Sequence, residues 1–420
     1  MKKIFSFLFF SLFFTTALFA APSVKNDVIL EQGKDSYQSV RHIVIRGTNE
    51  EIGKALGDIA RESYGVTKLA LYPDATYAKS ADLYLTQNSP ILRDRAKGVA
   101  ASFGKSYGDS LFVFDQLVYD AGAWSGCSSV YYPPSNTTDG NGLLGHNMDY
   151  PLCSINKLLK RPEENAPHMF TRNYVIELYP DKGYASIGVG TGDLLSVVSG
   201  MNEKGLVAVL HTDNYTAINT DPKTDLSGLV FPTQVLRHIL ENCQTVEEAK
   251  TVVLNQKLSL TFEPAHLLIA DISGKSITVE INPKNLRVEF TENSGKPQPF
   301  TNHPLYRFND PATFPAYKPF EEDNTFARYN ALLNLLGKKD KFSAEDVIAN
   351  QTAVVARWNN PGRGMANPAI PNRTIWTDLY NQKTGELKVK FYLKDGPTDP
   401  STGDPKELVW SDFFTFHLQK

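Results

Sequence analysis

The feature that most limits the fold is a change of texture at residue 126. Before it, the chain repeats apolar residues at helical spacing; after it, short strand-like runs dominate. Ile52, Ala55, Leu56, Ile59 and Ala60 keep the i, i+3, i+4, i+7, i+8 rhythm of an amphipathic helix. Thr48 precedes it as N-cap, with Glu51 as its capping-box partner. A short strand is expected at residues 42–46, and helical chain to about 122 with breaks near Pro73 and Pro90.

From Cys127 onward, "CSSVYYPP", "GLLGHNMDY", "GYASIGVG" and "GLVAVLHTD" read as strands. The run 206–210 is continuously apolar, as in a strand covered on both faces. Residues 232–256 read as a helix pair, the second opening on a capping box at Thr245 and Glu248. "HLLIADISGKSITVEINPKNLRVEF" gives three strands, "FARYNALLNLLG" a helix, and "TIWTDLYNQKTGELKVKFYL" a closing hairpin. Residues 358–373 are rich in Pro, Asn and Gly and read as a long surface or site-covering loop. Strands and helices come in blocks without β–α alternation, which favours antiparallel sheets with helices outside over a doubly wound parallel sheet.

The first 21 residues lie outside this scheme. Lys2 and Lys3, an apolar stretch and the small pair Ala20–Ala21 before Pro22 have the layout of a cleaved secretory signal peptide. A membrane anchor is the alternative; with cleavage, none is left. The protein is then periplasmic or secreted. A net charge of −3 offers no field for nucleic acid. The eight histidines are scattered without metal-ligand spacing, and no nucleotide-binding glycine motif occurs, so neither metal nor cofactor is expected.

Three cysteines in an exported chain leave at least one unpaired. Cys127 stands out among them, because it follows Gly126 and is flanked by small polar residues. Were the Gly126–Cys127 bond cut, the thiol would gain a base in its own residue. An α-amine titrates near ~7.7–8.0 and a thiol near ~8.5, so proton transfer between them is almost balanced. Gly126 would permit the distorted backbone that such a cut needs. The alternative is an ordinary buried thiol.

"GCSSVYYPP…GLLGHNMDY" resembles the start of the mature chain in the N-terminal-nucleophile (Ntn) cysteine hydrolases, the choloylglycine hydrolase and isopenicillin-N acyltransferase group of linear-amide C–N hydrolases. "SGMNEKGLVAV", "LRHILENCQTVEEAK", "FTNHP", "TFARYNALLNLL" and the closing hairpin extend the likeness in order over about residues 126–395, and "RGTNEEIGKALG" is similar to the acyltransferase branch. The resemblance implies an α+β fold, an αββα sandwich of two antiparallel sheets flanked by helices. It implies a mostly helical prosegment (22–126), the α chain, packed in one domain with a catalytic β chain (127–420).

By the same resemblance Cys127 is the nucleophile, with its α-amine as base. Asp149 holds that amine, Asn302 donates to the oxyanion, and Arg328 supplies positive charge near the thiolate. His146, where choloylglycine hydrolases usually carry Arg, and Asn147, Thr212 and Asn214 are possible oxyanion or substrate-binding residues. The function implied is hydrolysis of a small N-acyl amide through a Cys127 thioester after self-processing at Gly126–Cys127. The alternatives are acyl transfer to an amine such as a β-lactam nucleus, a conventional cysteine protease, or a non-catalytic binding protein. The processed α chain is the one macromolecular partner expected.

Overall fold

The structure is a computed structural model. It describes residues 22–419 except 110, 121–125, 159, 163–165, 214, 217–228, 231, 256, 259–263, 286, 316–324 and 360–369. Residues 1–21, which the sequence reads as a signal peptide, and most of the Pro/Asn/Gly-rich loop therefore lie outside the described residues.

The chain opens with two strands, β1 (Ser23–Leu30) and β2 (Ser39–Gly47), followed by helices α1 (Asn49–Ser63), α2 (Ala75–Asn88) and α3 (Pro90–Ser102). The Thr48–Glu51 capping box forms as the sequence predicts. Asp74 caps α2 just after Pro73, and Pro90 takes the first position of α3, where its missing N–H costs nothing. Helix ends at Ser102, not near residue 122.

Next come β3 (Gly126–Tyr132), β4 (Leu143–Pro151), α4 (Ile155–Leu158), β5 (Arg172–Pro180), β6 (Ser186–Gly190), β7 (Ser199–Asn202) and β8 (Val207–Thr212). The short strands β9 (Leu229–Val230) and β10 (Lys257–Leu258) flank the helix pair α5 (Pro232–Asn242) and α6 (Val246–Leu254). Thr245 caps α6 by accepting from the Glu248 N–H, but the Glu248 carboxylate accepts from the Gln244 N–H one residue earlier than a capping box requires.

The last part holds β11 (Ala265–Ala270), β12 (Lys275–Asn282), β13 (Arg287–Ser294), β14 (Gln298–Phe300), α7 (Thr325–Leu336), α8 (Ala344–Thr352), β15 (Arg357–Trp358), β16 (Asn372–Asn381), β17 (Glu386–Asp395), β18 (Leu408–Trp410) and β19 (Phe414–His417). Gly385, at φ 73°, makes the β16–β17 turn that the Lys–Thr–Gly sequence predicts.

The strands form two large sheets, ordered β1-β2-β5-β6-β7-β8-β11-β12-β13 and β14-β3-β4-β16-β17-β18, with β15 and β19 joined to the second. Side chains alternate between two apolar layers. Val175, Val189, Val207, Val209 and Leu268 of the first sheet meet Tyr131, Leu144, Met148, Trp376 and Phe391 of the second. On the other face of the first sheet, Ile43, Ile176 and Ala208 pack against Ile52, Leu56, Val99, Leu236 and Ile239 of α1, α3 and α5. On the outer face of the second, Val130, Tyr132 and Leu143 meet Leu332 of α7 and Val347 of α8. The layers therefore run helix, sheet, sheet, helix.

Residues 22–126 are woven into this sandwich. Strand β2 pairs with β5 in parallel, an exception to the otherwise antiparallel ladders of the large sheets. Arg95 of α3 donates to the Glu241 carboxylate of α5, and both side chains are buried. Strand β1, absent from the sequence reading, adds an edge to the first sheet.

Candidate active site

Cys127 lies in β3, which runs between β14 and β4. Strand alternation sends Cys127, Ser129 and Tyr131 to the layer between the sheets, and Gly126, Ser128, Val130 and Tyr132 outward to the helices. Opposite, His146 and Met148 of β4 share the inner face with Cys127, whereas Asn147 and Asp149 face outward. The site thus has two sides: one grips the Cys127 backbone, the other surrounds its thiol.

The backbone side is built by Asn302 and Arg328. The Cys127 N–H donates to Asn302 Oδ1 at 2.9 Å. Arg328 Nη2 donates to the same oxygen at 2.7 Å, and Arg328 Nη1 donates to the Cys127 carbonyl. Asn302 Nδ2 donates to the Thr212 carbonyl at 2.8 Å. Two donors face one end of this amide and a carbonyl the other, which fixes its orientation. Asn302 and Thr212 thus meet Cys127 as an acceptor and that acceptor's brace. One of the two Nδ2 hydrogens, the one given to Thr212, is committed away from an oxyanion.

Asp149 completes this side. It is opposite Gly126 in the β3–β4 register, fully buried, and 3.8 Å from Arg328. Thr374 Oγ1 donates to its Oδ1 at 2.5 Å, while Oδ2 is buried without a hydrogen-bond partner. Burial pushes this carboxyl up to about 6, against the downward pull of Arg328 and Thr374. Gly126 has no positive φ, so an unusual φ is not what selects glycine here. A Cβ at Gly126 would touch the Asp149 Cβ at 3.4 Å, its Oδ2 at 3.6 Å and Arg328 Nη2 at 3.7 Å, all ordinary contacts.

On the thiol side, the Cys127 Sγ and a ring nitrogen of each of His146 and His211 lie within 4.8 Å of one another. Met148 Sδ is 3.5 Å from the same sulfur. His211 Nδ1 stands 3.1 Å from the Thr301 carbonyl, so it carries the hydrogen, and Nε2 accepts from Ser129 Oγ at 2.7 Å. Both nitrogens are thereby engaged, which removes His211 as a ligand for a cation. Burial first, then neighbouring His146 and His266, hold His211 well below the usual imidazole range, so it is neutral.

Strand β16 serves both sides of the site. A bulge between Thr374 and Trp376 shifts its register, sending Thr374 outward to Asp149 and Asp378 inward to His146. Thr374, Asp378 and Ser129 were not singled out from the sequence. A regular strand would put residues 374 and 378 on one face, and only the bulge separates them.

Asn147 does not join the site. Its amide donates to the Gln351 carbonyl at 2.8 Å and accepts from Thr377 Oγ1 at 2.8 Å, which locks β4 to α8 and β16. Asn214 falls outside the described residues. None of the three cysteines is in a disulfide. A cleft of about 310 Å³ lies in the N-terminal helical segment between Tyr72, Asp82, Arg93 and Phe112, with no side chain of this site on its walls.

A helix–sheet–sheet–helix sandwich with a cysteine held through its own backbone nitrogen, directly after a glycine, defines the Ntn cysteine hydrolase class. Residues 127–328 match the family model of the linear amide C–N hydrolases, choloylglycine hydrolase family. Among curated proteins it is similar to a bile salt hydrolase/transferase of Clostridium perfringens, 30% identical over 189 residues; the matched stretch covers 40% of this chain and about half, 52%, of that relative. Among solved structures it is similar to the conjugated bile acid hydrolase of the same organism, with 17% identity, TM-score 0.43, and coverage of 70% of this chain and 97% of that one. It is also similar to the penicillin V acylase of Agrobacterium tumefaciens, with 18% identity, TM-score 0.39, and coverage of 65% and 84%.

Proposed function

We propose that this protein is an exported amidase that matures by cleaving its own Gly126–Cys127 bond and then hydrolyses a small linear N-acyl amide through a thioester on Cys127. The observation that carries the reading is the pairing of Gly126 with Asp149 beside the Cys127 nitrogen. A buried carboxylate oxygen without a hydrogen-bond partner, 3.8 Å from Arg328, lies against the Gly126 end of the bond to be cut. A new α-ammonium there would keep Asn302 Oδ1 as acceptor and gain Asp149 as counter-charge.

In the mature enzyme the α-amine takes the thiol proton and the sulfur attacks the amide carbonyl. The C–N bond breaks as the leaving amine receives that proton, and water resolves the thioester, releasing the acid and restoring the thiol. The Arg328 guanidinium favours the negative charge that develops around Cys127. The released prosegment stays bound, because β2 lies inside the first sheet and Arg95 pairs with Glu241.

A panel of N-acyl amides (penicillins, bile conjugates, N-acyl amino acids, lipid amides) tests the reaction by released amine, with mass analysis of Cys127 for the acyl adduct. Release of amine and acid from one class supports the reading. Transfer of the acyl group to an added amine in preference to water would assign the acyltransferase alternative. Neither adduct nor amine from any class would leave a binding protein.

A further inference from the structure

The proposed maturation has a gap that the structure fills. Before cleavage the Cys127 nitrogen is an amide and has no proton affinity, so the base of the mature enzyme does not yet exist. We infer that His146, held by Asp378, is the base that takes the Cys127 thiol proton during self-cleavage; this rests on the self-processing reading above.

Five observations place it. His146 is fully buried on the inner face of β4, with a ring nitrogen within 4.8 Å of the Cys127 sulfur. Its Nδ1 is 3.2 Å from Asp378 Oδ2, which fixes the hydrogen on Nδ1 and leaves the lone pair on Nε2. That Nε2 is buried without a hydrogen-bond partner. Asp378 is itself held, since its Oδ2 also accepts from Ser199 Oγ at 2.7 Å and Trp376 Nε1 at 3.0 Å. His211, the other imidazole near the sulfur, has its lone pair taken by Ser129.

The groups facing His146 are therefore Asp378 from β16, Cys127 from β3 and neutral His211 from β8, with Asp149 and Arg328 on the far side of β3 and β4. The constellation is Cys–His–Asp, with Asp378 a positioning residue that orients the ring and supports its charged form.

The step balances without a co-reactant other than water. The Sγ–H proton passes to His146 Nε2, and the thiolate forms a bond to the Gly126 carbonyl carbon. The Gly126–Cys127 C–N bond breaks as the nitrogen takes the proton from the imidazolium and becomes the α-amine. Water then hydrolyses the Gly126 thioester to a carboxyl group and returns the thiol.

The test follows cleavage by intact mass after a jump from acid, where a protonated imidazole stalls the precursor, into buffers from about pH 5 to 9. The wild-type rate is expected to rise with pH and level off once the base is neutral. His146→Gln should slow cleavage at least about 100-fold, in the range that general-base catalysis contributes, and its residual rate should climb only in the thiol range near ~8.5. Asp378→Asn should slow cleavage and shift the midpoint.

A folded His146→Gln chain that cleaves at the wild-type rate with the wild-type profile overturns the inference. So does a folded Asp378→Asn chain that cleaves at the wild-type rate with the wild-type profile. A wild-type chain that never cleaves at any pH instead removes the self-processing reading on which the inference stands.

Discussion

Asn302 Oδ1 receives the Cys127 backbone N–H at 2.9 Å, so the candidate nucleophile is positioned through its nitrogen and not only through its sulfur. That contact survives cleavage in kind, because an α-ammonium still donates. In the proposed mature enzyme Asn302 is the residue that aligns the base. Asn302→Ala should lower kcat/KM by about 10²–10³, the range for losing one preorganised catalytic hydrogen bond. Steady-state kinetics on the best amide substrate measure it.

Arg328 is 4% exposed and touches three groups at once: the Cys127 carbonyl, Asn302 and Asp149. Removing it leaves a buried carboxylate without its counter-charge. Arg328→Met should destabilise the chain by about 3–5 kcal/mol, and Arg328→Lys should recover only part of this because an ammonium lacks the planar fork. Urea unfolding of the two variants gives the comparison.

The Asp149 carboxyl, raised to about 6 by burial, gives the uncleaved chain a definite pH dependence. A folded value above the unfolded ~3.9 means that the native state holds the proton more tightly. The group's contribution therefore falls as pH rises from about 4 to about 6, by roughly 3 kcal/mol for a rise of about two units. In the uncleavable Cys127→Ala background, adding Asp149→Asn should reduce the slope by this amount and leave the part owed to Asp193, which burial also raises to about 6. Unfolding midpoints at pH 4, 5, 6 and 7 read it directly.

Glu241 ties the prosegment to the rest of the molecule as acceptor for Arg95, with Arg237 Nε 3.7 Å away. All three side chains are buried. Glu241→Ala strands two buried cations and should cost about 3–5 kcal/mol. After maturation this should appear as loss of the 22–126 fragment on size-exclusion chromatography, whereas in the wild type both fragments elute together.

Much of this architecture is legible in the sequence because it rests on local rules. The Thr48 cap, the Pro90 break, the Gly385 turn and the alternation along β3 and β4 all follow from neighbours a few residues away. The long-range parts are not. Strand β1 has all eight of its residues exposed or half-exposed on a sheet edge, so it lacks the apolar pattern of an interior strand. Asp378 and Thr374 reach opposite sides of the site only because of a bulge, which no periodicity announces. His146 stands on the page as a departure from the family pattern. Its pairing with Asp378, 232 residues further on, belongs to the strand register and not to the local sequence.

The account stands or falls on the Gly126–Cys127 bond. Intact-mass and N-terminal analysis of the purified protein should find a chain beginning at Cys127 beside the retained prosegment, and a single uncut chain in Cys127→Ala. A wild-type enzyme that hydrolyses amides while this bond remains whole would contradict it.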